Sequence, residues 1–177
     1  RLSEAVPRSE TVAAAAAPAV DPPLLRAATF NTRLFCDPTC DSGMCAAGDF
    51  EQVPSPAAFA RRAEQLAAAI RAMHADIVAL QEIESQASLD ALSGHLQDLY
   101  PTAVLGETGL PGSIDVAVLG GGALLQVRRH RDRQLTRPDG SLTSFARELL
   151  EVHLMLRGRR VILFAAHFRS KVNDDPG

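Results

Sequence analysis

Two spacings of apolar residues divide the chain. From Ser55 to Met73, Phe59, Leu66, Ile70 and Met73 recur at helical intervals, with Arg61, Arg62 and Glu64 off their face. Ser55 can cap that helix and Pro56 suits its first position. A second helix is expected over about Ser88 to Leu99, carrying Leu89, Leu92, Leu96 and Leu99 on one stripe and His95 off it. Between the two, Ile77, Val78, Ala79 and Leu80 form an unbroken apolar run, β-branched at its start, which predicts a strand buried on both faces. It ends in Gln81, Glu82 and Glu84. Leu24 to Phe30 also has strand character and hands over to Asn31. Past Pro101 the pattern turns to strands at Ala103–Leu105, Ile114–Leu119, Leu124–Arg131, Phe145–Leu156 and Val161–His167, with Arg157, Gly158 and Arg159 as a hairpin turn.

The remaining segments have turn or linker composition. Residues 1–23 mix Ala, Pro, Ser and Glu without periodicity and read as a disordered leader or linker, leaving 24–177 as the folded portion. With 177 residues, 46% hydrophobic and 22% charged, the chain can bury one sizeable core. No apolar run approaches the ~18 to 20 residues a membrane-spanning helix needs. A net charge of −3 gives no global basic field, so contacts to nucleic acid would rest on local Arg clusters. Of the 18 Lys and Arg, all but Lys171 are Arg, the side chain suited to bidentate phosphate contacts. Arg128, Arg129, Arg131 and Arg133 read as a solvated edge strand rather than a nucleic-acid groove. The chain opens on Arg1 and closes on DDPG, so both ends read as cut, and a signal peptide would lie before residue 1.

All the cysteines, Cys36, Cys40 and Cys45, fall in one Gly-, Pro- and Asp-rich loop whose spacing is not a zinc pattern. In an exposed loop an unpaired thiol is a liability where conditions are oxidising. The expected pairing is Cys40 with Cys45, Cys36 being the alternative partner or free, and this places the protein in a secreted or periplasmic setting. Asp37, Asp41 and Asp49 could collect a structural Ca²⁺ in the same loop, against which stands the commoner role of Asp in solvated turns.

A buried strand that ends in a carboxylate delivers it to the rim of a sheet, where α/β proteins keep their chemistry. Alone, ADIVALQEIE at Ala75–Glu84 is equally a strand leaving the core through polar residues. Three further motifs accompany it: FNTRLF at Phe30–Phe35, SFARE at Ser144–Glu148 and FAAHFRSK at Phe164–Lys171. Taken in order, the four resemble the endonuclease/exonuclease/phosphatase superfamily, the DNase I-like phosphoesterases, and in particular its extracellular bacterial members. The resemblance runs from about Ala27 onward and covers the N-terminal part of that domain. The family's later Asp-x-Asn and Asp-His motifs have no counterpart before Gly177.

The resemblance implies an α/β (α+β) fold, the first half of a DNase I-like four-layer αβ sandwich, mostly antiparallel, with helices on one face. Of the two sheets, this half is expected to supply one, leaving Ile114–Leu119 and Val161–His167 with an apolar face open to water. It implies a metal-dependent phosphodiesterase, first of all a secreted nuclease, with a phospholipid-headgroup phosphoesterase or a non-catalytic binding relative as alternatives. Asn31 and Glu82 match the family's metal ligands for Mg²⁺, with Mn²⁺ admissible; both are hard oxygen donors. His167 matches the histidine that bonds the scissile phosphate, and Asp115 is the candidate acid that steadies it. Arg33, Arg147 and Ser170 are expected to contact phosphate. Nucleic acid or another phosphodiester is the implied partner, and no protein partner is.

Overall fold

The computed structural model describes residues 24–168. In chain order these form β1 (Ala27–Phe35), α1 (Pro56–Ala72), β2 (Ile77–Ile83), α2 (Gln86–Gly94), β3 (Thr102–Gly106), β4 (Asp115–Gly120), β5 (Ala123–Arg129), β6 (Leu135–Thr136), β7 (Leu142–Thr143), β8 (Leu149–Leu156) and β9 (Arg159–Ala166). The leader at 1–23 lies outside the described residues.

Helix α1 begins where its caps dictate: the Ser55 hydroxyl accepts the Ala58 N–H at 3.3 Å and Pro56 follows. The second helix starts two residues before its expected position, because Ser85 accepts the Ser88 N–H at 3.1 Å and so caps it. It also ends earlier, at Gly94. Leu96 stays buried on the turns that follow, but Leu99, expected on the buried stripe, is exposed. Strand β8 likewise starts at Leu149, not Phe145, since Glu148 is drawn inward to accept the His130 N–H at 2.7 Å.

One sheet has the order β1-β2-β4-β3, with β1 and β2 parallel and the other pairs antiparallel. A second, antiparallel sheet has the order β5-β8-β9, and β6 pairs with β7 as a small ribbon. Both helices cover one face of the first sheet: Leu66, Ile70, Leu89 and Leu92 pack on Val78, Leu80, Ala117 and Leu119. Its other face packs on the second sheet, where Ile77, Ala79, Val116 and Val118 meet Leu150, Val152, Leu154 and Ala165. The architecture is thus helix on sheet on sheet. This corrects the expectation that this half supplies a single sheet: strands of both are here, and β4 is buried along its whole length. Exposed apolar side chains lie instead on the outside of the second sheet, where Met155, Ile162 and Phe164 flank the paired Glu151 and His153.

The passage from one sheet to the other runs through Gly120, Gly121 and Gly122. A Cβ at Gly122 would overlap the Met155 carbonyl and lie 2.8 Å from Leu156, so the crossing needs glycine. The β8–β9 hairpin closes through Arg157 and Gly158, both left-handed (φ 49° and 75°), the turn geometry that matches strand twist. Edge strand β5 ends at Arg129, short of the expected Arg131, so it carries only Arg128 and Arg129 of the Arg cluster, and these side chains and Arg131 are not merely solvated. Arg128 pairs with Glu151 at 3.3 Å, Arg129 donates to the Leu105 carbonyl at 2.8 Å, and Arg131 donates to the Thr108 carbonyl.

Candidate active site

Along β2, side chains alternate between the two faces of the first sheet: Ile77 and Ala79 face the second sheet, Val78 and Leu80 the helices. Continued, the alternation would point Glu82 into the helix layer. It breaks because Glu82 is left-handed (φ 65°) and has no register partner on either neighbouring strand. The extra residue is a bulge, and beyond it Ile83 returns to the helix-side core. On β1 the break is larger, with Arg33 and Leu34 also left-handed (φ 57° and 52°) between Asn31 and Phe35. Non-glycine residues held in this region cost roughly 1 to 3 kcal/mol each and collect where a side chain must be re-aimed.

The re-aimed side chains meet. Asn31 Nδ2 donates to Glu82 Oε1 at 2.8 Å, and Glu82 Oε2 accepts the Leu34 N–H at 2.9 Å. Asn31 Oδ1 in turn accepts the Arg33 N–H at 2.8 Å. From the second sheet, His167 follows β9 and brings Nε2 to 3.7 Å from Glu82 Oε1. Behind it, Arg147 donates Nη1 to His167 Nδ1 at 2.7 Å. An arginine can only donate, so Nδ1 is the acceptor and the ring proton lies on Nε2, toward Glu82. Burial lowers the His167 pKa, the Arg147 charge lowers it further, and Glu82 opposes both. Both side chains keep about a fifth of their surface, 19% for His167 and 18% for Glu82, so the pair is desolvated yet reachable.

Asn31, Glu82, His167 and Arg147 therefore converge at the mouth between the sheets, and Asp115 does not join them. Its carboxylate accepts from Ser113 Oγ at 3.1 Å and from the Thr108 N–H at 3.3 Å, so the expected His167–Asp115 pairing is corrected to His167 with Arg147 and Glu82. The strand begins at Asp115 and its side chain turns into the loop before it. Burial, and then the neighbouring Glu107, raise its pKa from 3.8 to about 6. Arg33 is exposed and lines a separate cavity of about 340 Å³ with Phe59 and Arg62. Ser170 lies outside the described residues. Sequence reasoning passed over Thr32 and Arg62, which support the bulge from behind; the one available signal was a small β-branched hydroxyl between Asn31 and Arg33.

Cys40 and Cys45 form a disulfide, and Cys36 is a buried free thiol whose pKa is pushed up to about 11, chiefly by burial. The Asp side chains of this loop do not converge on a cation position. Asp37 accepts from the Thr39 N–H and Asp49 from the Ala46 N–H, each closing its own turn, and Asp37 also accepts from the distant Ser85 hydroxyl.

No family model matches the chain, and no curated protein matches it. Among solved structures, a sphingomyelinase C from Streptomyces griseocarneus superposes with a TM-score of 0.56 at 23% identity, over 88% of this chain and 52% of that one. A β-hairpin deletion mutant of beta toxin from Staphylococcus aureus superposes with a TM-score of 0.54 at 14% identity, over 82% and 51%. The chain shares the DNase I-like αβ-sandwich fold of these two structures. In this DNase I-like frame, likeness at such identities speaks for architecture, and the chain spans about half the length of both matched structures, 52% and 51%. No helix among the described residues is long and apolar enough to cross a membrane.

Proposed function

We propose that this chain carries one side of the active site of a divalent-metal-dependent phosphodiesterase. The observation that supports it is the convergence of Asn31, Glu82, His167 and Arg147 on one mouth, two from neighbouring strands of the first sheet and two from the segments flanking β8 and β9 of the second. The donors fit Mg²⁺ or Mn²⁺: Glu82 offers a carboxylate with no Lys or Arg ion pair among the described residues, and the neutral Asn31 Oδ1, which accepts the Arg33 N–H at 2.8 Å, keeps a second lone pair. A cation bound there would polarise phosphoryl oxygens and activate water. On the protein side, His167 presents Nε2–H as a donor to a phosphoryl oxygen, with its ring fixed from behind by Arg147. The remaining guanidinium N–H groups of Arg147 can take a second oxygen by a charge-assisted bond.

For substrate, nucleic acid is the first class, as in a secreted nuclease. A phospholipid headgroup is the second, and one observation favours it: a cavity of about 130 Å³ beside Arg147 and His167 is walled mainly by Phe145, Ala146, Leu149, Ala166 and Phe168, with Glu148 among them. Such walls suit an apolar ester group better than a second phosphate. A matched structure is also a sphingomyelinase C. The disulfide accords with a secreted or periplasmic location.

The test is hydrolysis of plasmid DNA, RNA, sphingomyelin vesicles and bis(p-nitrophenyl) phosphate by the intact parent protein, residues 1–177 alone being expected inactive, with Mg²⁺, Mn²⁺ and Ca²⁺ each supplied. Cation-dependent cleavage that Glu82→Gln abolishes supports the reading. Binding without turnover by wild type would indicate a non-catalytic relative, and equal activity of wild type and variant would remove this site from the chemistry.

A further inference from the structure

The bulge that aims Glu82 leaves residue 82 without a register partner, and side-chain bonds support the main chain around it. Thr32 is fully buried, and its hydroxyl lies 2.9 Å from the Gln81 carbonyl and 2.8 Å from the Glu82 carbonyl, its single proton shared between them. Residue 82 has no register partner on β1 or β4, so this hydroxyl supplies from the side the bond that the strands do not. One step further out, the Thr32 carbonyl accepts Nη2 of Arg62 at 3.0 Å, and Arg62 is anchored on α1. The chain of contacts therefore runs from helix to Thr32 to the left-handed Glu82. A valine, equal in volume and in strand preference, would take this bond from the Glu82 carbonyl, which has no register partner to replace it.

We propose that Thr32, backed by Arg62, is a positioning residue that holds the bulge in the conformation in which Glu82 and Asn31 together can take a divalent cation. This rests on the metal-site reading above and assigns a specific residue to it. Without the hydroxyl, residues 81–83 can relax toward a regular strand. The Glu82 carboxylate then swings out of register with Asn31 and loses the Leu34 N–H, which it holds at 2.9 Å. Thr32 touches no substrate, so its effect acts wholly through the geometry of its neighbours.

The experiment compares wild type, Thr32→Val and Thr32→Ser in the full chain, by two readouts. The first is Mn²⁺ affinity by calorimetry: Thr32→Val should weaken it about 10- to 100-fold, the range for lost outer-shell support, and Thr32→Ser should restore it. The second needs no metal. Hydrogen exchange at the Leu34 amide should speed up by about tenfold or more in Thr32→Val and return in Thr32→Ser, while exchange in β4 stays unchanged. A wild type that binds no cation would sink the metal reading, and the Leu34 amide would still decide the clamp. Unchanged Leu34 exchange in Thr32→Val, or a Thr32→Ser as impaired as Thr32→Val, overturns the proposal.

Discussion

Arg147 holds His167 by Nδ1 at 2.7 Å, which leaves Nε2 facing Glu82 across the two sheets at 3.7 Å. One contact thus selects the tautomer and the aim of the ring. Arg147→Ala should release both. We expect two-dimensional ¹⁵N–¹H spectra to show His167 as the Nε2–H form in wild type and as a mixture in the variant. Toward a phosphodiester, kcat should fall and KM should rise, because ring orientation and phosphate contact are lost together. A single unchanged tautomer would separate Arg147 from the histidine.

Glu82→Gln keeps an oxygen for the Leu34 N–H and changes little volume, while it removes the site's anionic oxygen. Metal affinity should fall by more than the about 10- to 100-fold seen for outer-shell losses, with stability within about 1 kcal/mol of wild type. Calorimetric metal titration and thermal melting of the same sample check both halves.

Asp115 is 1% exposed, and one oxygen of its carboxylate has no partner among the described residues. Its pKa is raised from 3.8 to about 6, so between those values the unfolded chain has released a proton that the folded chain keeps. Stability should therefore fall as pH rises through that window and stay lowered above it. Asp115→Asn retains an acceptor for Ser113 and Thr108 and removes the buried charge. Melting should rise at pH 7.5, by no more than about 3 kcal/mol for a shift of this size, and should not rise at pH 3. A variant less stable at both pH values would show that the carboxylate itself is needed.

The thiols should differ sharply. Without reductant, alkylation of native protein should modify none of them: Cys40 and Cys45 are paired, and Cys36 is buried with its pKa pushed up to about 11. Unfolding should expose Cys36 alone. Replacing Cys40 and Cys45 together by Ser should cost about 2 kcal/mol, as expected for a closed loop this short. Three thiols alkylated in non-reduced, unfolded protein isolated from its native compartment would sink both the disulfide and the secreted reading.

Much of the fold could be read from the chain because local chemistry and burial agree there. Ser55 and Pro56 mark the α1 start, the unbroken run Ile77–Leu80 marks a strand covered on both faces, and Arg157–Gly158 marks the hairpin. The resemblance carried by the four motifs named Asn31, Arg33, Glu82, Asp115, Arg147, His167 and Ser170, and of these Asn31, Glu82, Arg147 and His167 lie together. Tertiary structure alone decided how they meet. Periodicity assigns Glu82 to the helix face; the bulge that overrides it depends on Thr32 and Arg62, 50 and 20 residues away, and no local propensity encodes such bonds. For the same reason Asp115 was misplaced: its position along the strand was right, but the neighbours that capture a carboxylate are set by loop closure. That both sheets begin within this chain was likewise invisible in the pattern. An alternating strand states that it has a buried face, and only packing determines which surface buries it.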